Sequence, residues 1–206
     1  MTATSQIVSK DSIFVQEFAR LSTPELANRY SSLLEIDNQP DFQLSIHKWE
    51  DLNFGELTFC YDLVKSNLKK MYSQSTVGWS SRKKKAEMKE FGLLYILLRH
   101  HSNLQGFISF MITIEEDELV VYCYELHLSS NIRNKGLGHI LLDKMESIGR
   151  QERICKTMLT VFSANPALLF YTRHDYNPAE HSLTERKLRN GTVKLPSYYI
   201  LEKKLL

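Results

Sequence analysis

The spacing of apolar positions changes period along the chain, and those changes divide it into elements. Ile13, Phe14, Phe18 and Leu21 share one helical stripe. Thr23-Pro24-Glu25 then supplies the cap, first-turn proline and first-turn acid of a second helix carrying Leu26, Tyr30 and Leu33. Residues 42–46, Phe-Gln-Leu-Ser-Ile, alternate apolar and polar side chains, the period of a half-buried strand. Leu57, Tyr61, Val64, Leu68 and Met71 recur at steps of four and three, which predicts a long helix with one continuous apolar face. Residues 73–90 hold Gly78-Trp79 and then Arg82-Lys83-Lys84-Lys85, and read as a loop passing into a short charged helix.

Three strand-like runs follow, Gly92 to Arg99, Gly106 to Glu115 and Glu118 to Ser129, on links too short for a crossover, so they predict an antiparallel meander. Leu137, Ile140, Leu141, Met145 and Ile148 then fall on one helical face. A strand over 157–162, a helix from about Pro166 and a last strand around 198–201 complete the order, with 177–195 polar enough for a flexible excursion. The sum is a mixed α/β fold, a sheet flanked by helices. Residues 1–41 are expected to be a tail and helical extension packed on a domain of residues 42–206.

Composition narrows the function classes. With 206 residues, 43% hydrophobic and 24% charged, the chain is neither disordered, collagen-like nor a disulfide miniprotein. Basic residues number 26 against 24 acidic ones, so the whole is no polycation and sequence-specific nucleic-acid binding is not expected. No apolar run reaches the ~18–20 residues of a membrane span. Cys60, Cys123 and Cys155 are odd in number and lack C-x-x-C spacing, which predicts buried free thiols in a reducing compartment. Residues 1–12 are polar without an apolar leader core, so cytoplasm and nucleus are the expected locations.

Candidate chemistry concentrates in Arg133-Asn134-Lys135-Gly136-Leu137-Gly138, between the last meander strand and the following helix. Glycines there leave backbone N–H groups open to a ligand, and the helix start adds its positive dipole end, a combination suited to a diphosphate. A plain tight turn is the alternative. The phosphate loop G-x-x-x-x-G-K-[ST] is absent, as is the third glycine of a dinucleotide site.

These six residues match the Arg/Gln-x-x-Gly-x-Gly/Ala signature of the GNAT acetyltransferase superfamily, and the surrounding order of elements is similar. Thr160 to Tyr171 resembles that superfamily's later strand, its coenzyme-side asparagine, Asn165, and its helix tyrosine, Tyr171. The block is one residue shorter than usual between Asn165 and Tyr171, and Asp175-Tyr176 stands where Gly-Phe is common. Since each residue turns a helix by ~100°, Tyr171 reads either as general acid to the leaving thiolate or as core. Phe59 to Leu63, Met71-Tyr72, Gly78-Trp79, Val121 to Glu125, Leu128 to Ser130 and Met158 to Phe162 further resemble the NatD group, the amino-terminal acetyltransferases of histones.

The resemblance implies a GNAT fold and acetyl-CoA as cosubstrate, without a metal. It assigns coenzyme contact to Leu126, His127, Leu128, Arg133, Asn134, Lys135, Gly136, Leu137, Gly138, His139 and Asn165, where the strand splays from its neighbour. Tyr124 and Glu125 would take the amine proton, directly or through water. Alternation sets Tyr122, Tyr124, Leu126 and Leu128 against Cys123, Glu125 and His127, unless a bulge mixes the faces. His127 is a base by residue type, or a strand histidine facing solvent or a neighbour. Peptide contact falls to Tyr72, Tyr124, Thr160 and Tyr198, with Thr113, Ile114 and Glu115.

NatD-like sequences have aspartate where Thr113 aligns and tryptophan where Val77 stands, so the acidic role is expected to move to Glu115 or Glu116. A solvated hairpin turn is the other reading of those acids. The implied reaction acetylates the free α-amine of histones H-four and H-two-A, which begin Ser-Gly-Arg-Gly. An α-amine titrates near ~8 and a lysine near ~10.4, so the former needs only modest base help. A GNAT enzyme for lysine or small amines, and a silent coenzyme-binding module, are the rivals. The expected partners are histone tails, with ribosome association compatible, no membrane, and a monomer. The Arg82 to Lys85 run is expected to be a solvated helix face, and His100-His101 to lack a carboxylate companion for a metal.

Overall fold

The computed structural model describes residues 9–36, 39–187 and 189–206; the polar stretch 1–8 lies outside them. Helix α1 (Lys10–Ala19) starts where the Ser9 side chain accepts from Ser12 N–H, and α2 (Thr23–Arg29) where Ser22 and Glu25 close a capping box around Pro24. Strand β1 (Phe42–Lys48) follows, then α3 (Phe54–Gln74), opened by an Asn53–Glu56 capping box, and α4 (Ser81–Glu87), capped by Ser80. Strands β2 (Leu94–His100), β3 (Asn103–Glu115) and β4 (Glu118–Leu128) form the expected meander. Helix α5 (Leu137–Gln151) crosses over to β5 (Lys156–Phe162), followed by α6 (Ala167–Thr172). Among its described residues the polar 177–195 stretch contributes only two-residue strands, β6 (Asn177–Pro178), β7 (Arg186–Lys187) and β8 (Val193–Lys194), before β9 (Tyr198–Lys204).

The seven-stranded sheet runs β1-β2-β3-β4-β5-β9-β6, and only the β4–β5 pair is parallel, as the helical crossover between them requires. Helices cover both faces. Phe18, Leu26, Leu141 and Met145 pack with Leu94, Ile96 and Leu98 on one side; Cys60, Tyr61 and Val64 pack with Tyr95 and Leu97 on the other. That double cover is why residues 93–98 are an unbroken apolar run rather than an alternating one. Among the helices, α1 and α2 share the α5 face, so the segment before β1 adds to the same core.

One expectation changes here, and one open alternative closes. Cys60 and Cys123 are buried but Cys155 is exposed, because it follows the turn that ends α5. Of the two readings of the acids at 115–118, the hairpin turn is the one found: Glu115 and Glu118 pair as the last residues of β3 and the first of β4, and Glu116 and Asp117 between them both have positive φ, 53° and 63°, as a two-residue turn demands.

Candidate active site

A single extra residue shapes the site. Ser109 pairs with Glu125 and Phe110 with Cys123, so Tyr124 has no partner and forms a bulge in β4. The bulge mixes the faces that alternation would separate. Val121 and Cys123 lie with Leu126 and Leu128 toward α5, whereas Glu125 and His127 turn to α3 and α4. Beyond the bulge the sheet opens, since β4–β5 pairing stops at Cys123 and Leu159 while β4 runs on to Leu128 and β5 to Phe162.

The opening is a cavity of about 1330 Å³, more than the ~300–1,000 Å³ of an ordinary small-molecule site. At one end stands the start of α5. Gly136 is its N-cap, with φ 79° and no side-chain cap, and the first intrahelical bond runs from Ile140 N–H to Gly136 O. The amides of Leu137, Gly138 and His139 therefore precede the helical ladder, where an anion is favoured. A Cβ on Gly136 would meet nothing within 4 Å, so backbone conformation rather than crowding calls for glycine. This geometry fits the diphosphate of a coenzyme.

The side walls are Leu126, His127 and Leu128 on β4 and Thr160, Val161 and Phe162 on β5. Arg133, Asn134, Gly138, His139 and Asn165 also line the cavity. His139 stacks on His174 with ring centroids 4.5 Å apart, and Asn165 Oδ1 accepts from Ala167 N–H at 3.0 Å, which starts α6. Two of the residues expected at the coenzyme do not reach the cavity with their side chains: Leu137 is core and Lys135 points to solvent. Tyr171 sits at the wall with its ring buried in the core, and burial pushes its phenol well above the ordinary value.

The other end gathers Tyr72, Tyr124, Thr160 and Tyr198. Tyr122 and Thr160 hydroxyls bond at 2.6 Å, and the Tyr72 ring is edge-on to Phe162 at 4.8 Å. Tyr124 is 37% exposed; burial of its ring side, then the negative charges of Glu90 and Glu115, push its phenol up to about 12. It is a protonated donor at neutral pH. Thr113, Ile114 and Glu115 are half-buried on the hairpin arm and do not line the cavity, so the expected move of the acidic role to Glu115 or Glu116 meets no wall there. The acids on the wall are Glu87 of α4 and Glu125 of β4.

Glu125 is 7% exposed on the cavity wall. Lys84 Nζ donates to its Oε1 at 3.1 Å and His127 Nε2 lies 2.7 Å from its Oε2. Burial alone would raise this carboxyl, but the His127 bond and the Lys84 ammonium outweigh it and hold the group below its ordinary value. Lys84 is held charged in turn: burial opposes the ammonium, and the Glu125 carboxylate more than offsets that. The basic run is therefore not wholly a solvated face.

Lys84, Glu87 and Asn67 were not among the sequence candidates. Asn67 could have been found, because it stands in the Val64-Asn67-Met71 rhythm of an otherwise apolar stripe. Lys84 could not, since its neighbours Lys83 and Lys85 hide the helical phase. At the sheet edge, Asp41 comes beside the half-buried His100 and the exposed His101, correcting the expectation of no carboxylate companion. Among the described residues no helix is long and apolar enough to cross a membrane.

The acetyltransferase (GNAT) family matches residues 57–176. N-alpha-acetyltransferase 40 of Saccharomyces cerevisiae is 33% identical over 180 residues, covering 70% of this chain and 63% of that protein. The chain thus spans less than two thirds of that relative's length. Among solved structures, PaiA N-acetyltransferase from Thermoplasma acidophilum in complex with coenzyme A has a TM-score of 0.56 at 20% identity, covering 79% of this chain and 99% of that one. Arabidopsis thaliana Naa50 in complex with the bisubstrate analogue CoA-Ac-MVNAL has a TM-score of 0.51 at 17% identity, covering 78% and 97%. Both structures share the fold of this chain.

Proposed function

The chain belongs to the acetyltransferase (GNAT) family, and from that premise we propose that it acetylates the free α-amino group of a polypeptide, with histone tails beginning Ser-Gly-Arg-Gly as its substrates. The observation that carries this reading is one continuous cavity with open helix amides at one end and a ring of tyrosines beside a held carboxylate at the other. The yeast N-alpha-acetyltransferase relative supports the α-amine as acceptor.

In this reading, acetyl-CoA supplies a thioester carbonyl activated toward amines. The amides of Gly138 and its neighbours and the Arg133 side chain hold its phosphates. Leu126 and Leu128, freed from pairing with β5, offer backbone groups to its stem. Tyr72, Tyr124 and Tyr198 surround the peptide end, and Glu87, with Glu90 near Tyr124, gives a negative environment for the substrate arginine. Glu125 accepts the amine proton through water. A low carboxyl pKa suffices, because an α-amine near ~8 is already partly neutral at physiological pH. Tyr171, kept protonated by burial, offers a hydrogen bond to the departing thiolate.

Initial rates of thiol release on a Ser-Gly-Arg-Gly peptide test the proposal. Turnover should vanish with a blocked amino terminus and fall at least ~tenfold when the arginine becomes alanine. Comparable rates on blocked, lysine-containing peptides would move the assignment to the lysine or small-amine class. Coenzyme binding without any turnover would make the chain a silent module.

A further inference from the structure

Two side chains that can only donate stand at the ends of one hydrogen-bonded path, and together they fix the protons between them. Arg133 Nε donates to Leu128 O at 3.0 Å and its Nη2 to Asn67 Oδ1 at 2.7 Å. A guanidinium accepts nothing, so the Asn67 oxygen must face Arg133 and its NH2 must face His127. Asn67 Nδ2 lies 3.1 Å from His127 Nδ1, which is therefore the lone-pair nitrogen. The ring proton then sits on Nε2 and points along the 2.7 Å bond to Glu125 Oε2.

From the far side, Lys84 Nζ donates to Glu125 Oε1 at 3.1 Å, to the Tyr72 hydroxyl at 2.9 Å and to Glu87 Oε2 at 2.6 Å, using all three of its protons. Glu125 thus has an N–H on each oxygen, and Tyr72, accepting from Lys84, keeps its own O–H for the cavity. The path joins the coenzyme loop, α3, β4 and α4.

We propose that Asn67 and His127 are positioning residues, a one-directional relay through which Arg133 of the coenzyme loop orients the Glu125 carboxylate. The proposal rests on the α-amine reading above for what Glu125 does, and on geometry alone for the relay. His127 has both ring nitrogens engaged, so it is a link and not the base. Around it stand the Glu125 carboxylate and the Lys84 ammonium beyond it on one side, Arg133 beyond Asn67 on the other, and the Phe107 ring of β3 at 5.8 Å. Because Asn67 is shared, displacing it releases Arg133 as well as His127, which couples the coenzyme site to the proton acceptor.

Three measurements test this. His127→Gln preserves the relay's direction, since a glutamine offers oxygen to Asn67 and NH2 to Glu125. Its kcat should stay within ~threefold of the parent with an unchanged pH profile, whereas loss of a base would cost ~10² or more and overturn the proposal. Asn67→Leu cuts the path; at an unaltered melting temperature it should weaken acetyl-CoA binding by calorimetry and lower kcat at saturating coenzyme, each by ~tenfold. Unchanged values in the folded variant would overturn it. Nitrogen-15 NMR of the parent protein should show His127 as the neutral Nε2–H tautomer at pH 7, and an Nδ1–H or doubly protonated ring would contradict the assignment. The calorimetric and NMR arms need no acceptor, so failure of the α-amine reading, seen as no turnover of any free-terminus peptide by the parent protein, is distinguishable from failure of the relay.

Discussion

In the proposed reaction Glu125 receives the amine proton, and its setting explains both what it can and cannot do. A carboxylate with two N–H donors and little exposure is fixed in place and ionised at neutral pH, which makes it an orienting acceptor for a water-borne proton rather than a strong base. Glu125→Gln removes that charge and sets an amide N–H against the donors Lys84 or His127. Steady-state kinetics should show kcat lowered by ~10² with the fold retained by circular dichroism. Near-parent turnover would shift the role to Tyr124, whose raised phenol argues for a donor instead.

At the scale of elements, two glycines do different work. Gly136 allows the α5 start its left-handed residue, and Gly136→Asp adds both backbone strain and a charge of the wrong sign for a diphosphate. Calorimetry should find acetyl-CoA affinity reduced by at least ~tenfold. Gly106 lets β3 lie close to β4: an added Cβ would fall 2.5 Å from Leu128 Cδ2 and 2.7 Å from the His127 carbonyl oxygen. A backbone atom cannot step aside, so Gly106→Ala should cost ~1–3 kcal/mol in a denaturant melt.

The elements were largely legible in the sequence because their periods are clean. The α5 stripe, the meander and the glycine loop stand where the residues predict them. The Tyr124 bulge was not legible, since one extra residue in a strand leaves no compositional trace, yet it decides which face Glu125 and His127 occupy. Nor could spacing reveal that Lys84, more than forty positions from Glu125, would be its partner, because α4 and β4 meet only in the tertiary fold. The peptide-side assignment of Thr113 to Glu115 rested on alignment alone, and the hairpin arm carries those residues off the cavity wall.

For the whole molecule, burying a charged pair between two layers makes stability depend on pH at both limits. Glu125 has its carboxyl lowered on folding, so its contribution is complete above the unfolded value near ~4.3 and is lost as pH falls through the lower folded value. Lys84 is raised, so its contribution is complete below ~10.4 and is lost as pH rises through the folded value. Denaturant midpoints should therefore be level between pH 6 and 9 as regards this pair and decline in acid. Lys84→Met should weaken the acid decline while lowering the plateau, and an acid limb identical to the parent's would show that the pair is not coupled to folding.

In the proposed function one cavity serves coenzyme, peptide end and proton acceptor across the β4–β5 gap, and the claim that its acceptor is an α-amine is open to one direct measurement. A histone-tail peptide beginning Ser-Gly-Arg-Gly, with a free terminus and several lysines, is incubated with acetyl-CoA and the protein and then mapped by tandem mass spectrometry. A single acetyl group on the terminal nitrogen, with every lysine unmodified, is the predicted result. Acetyl on lysine side chains with the terminus left free would contradict the account.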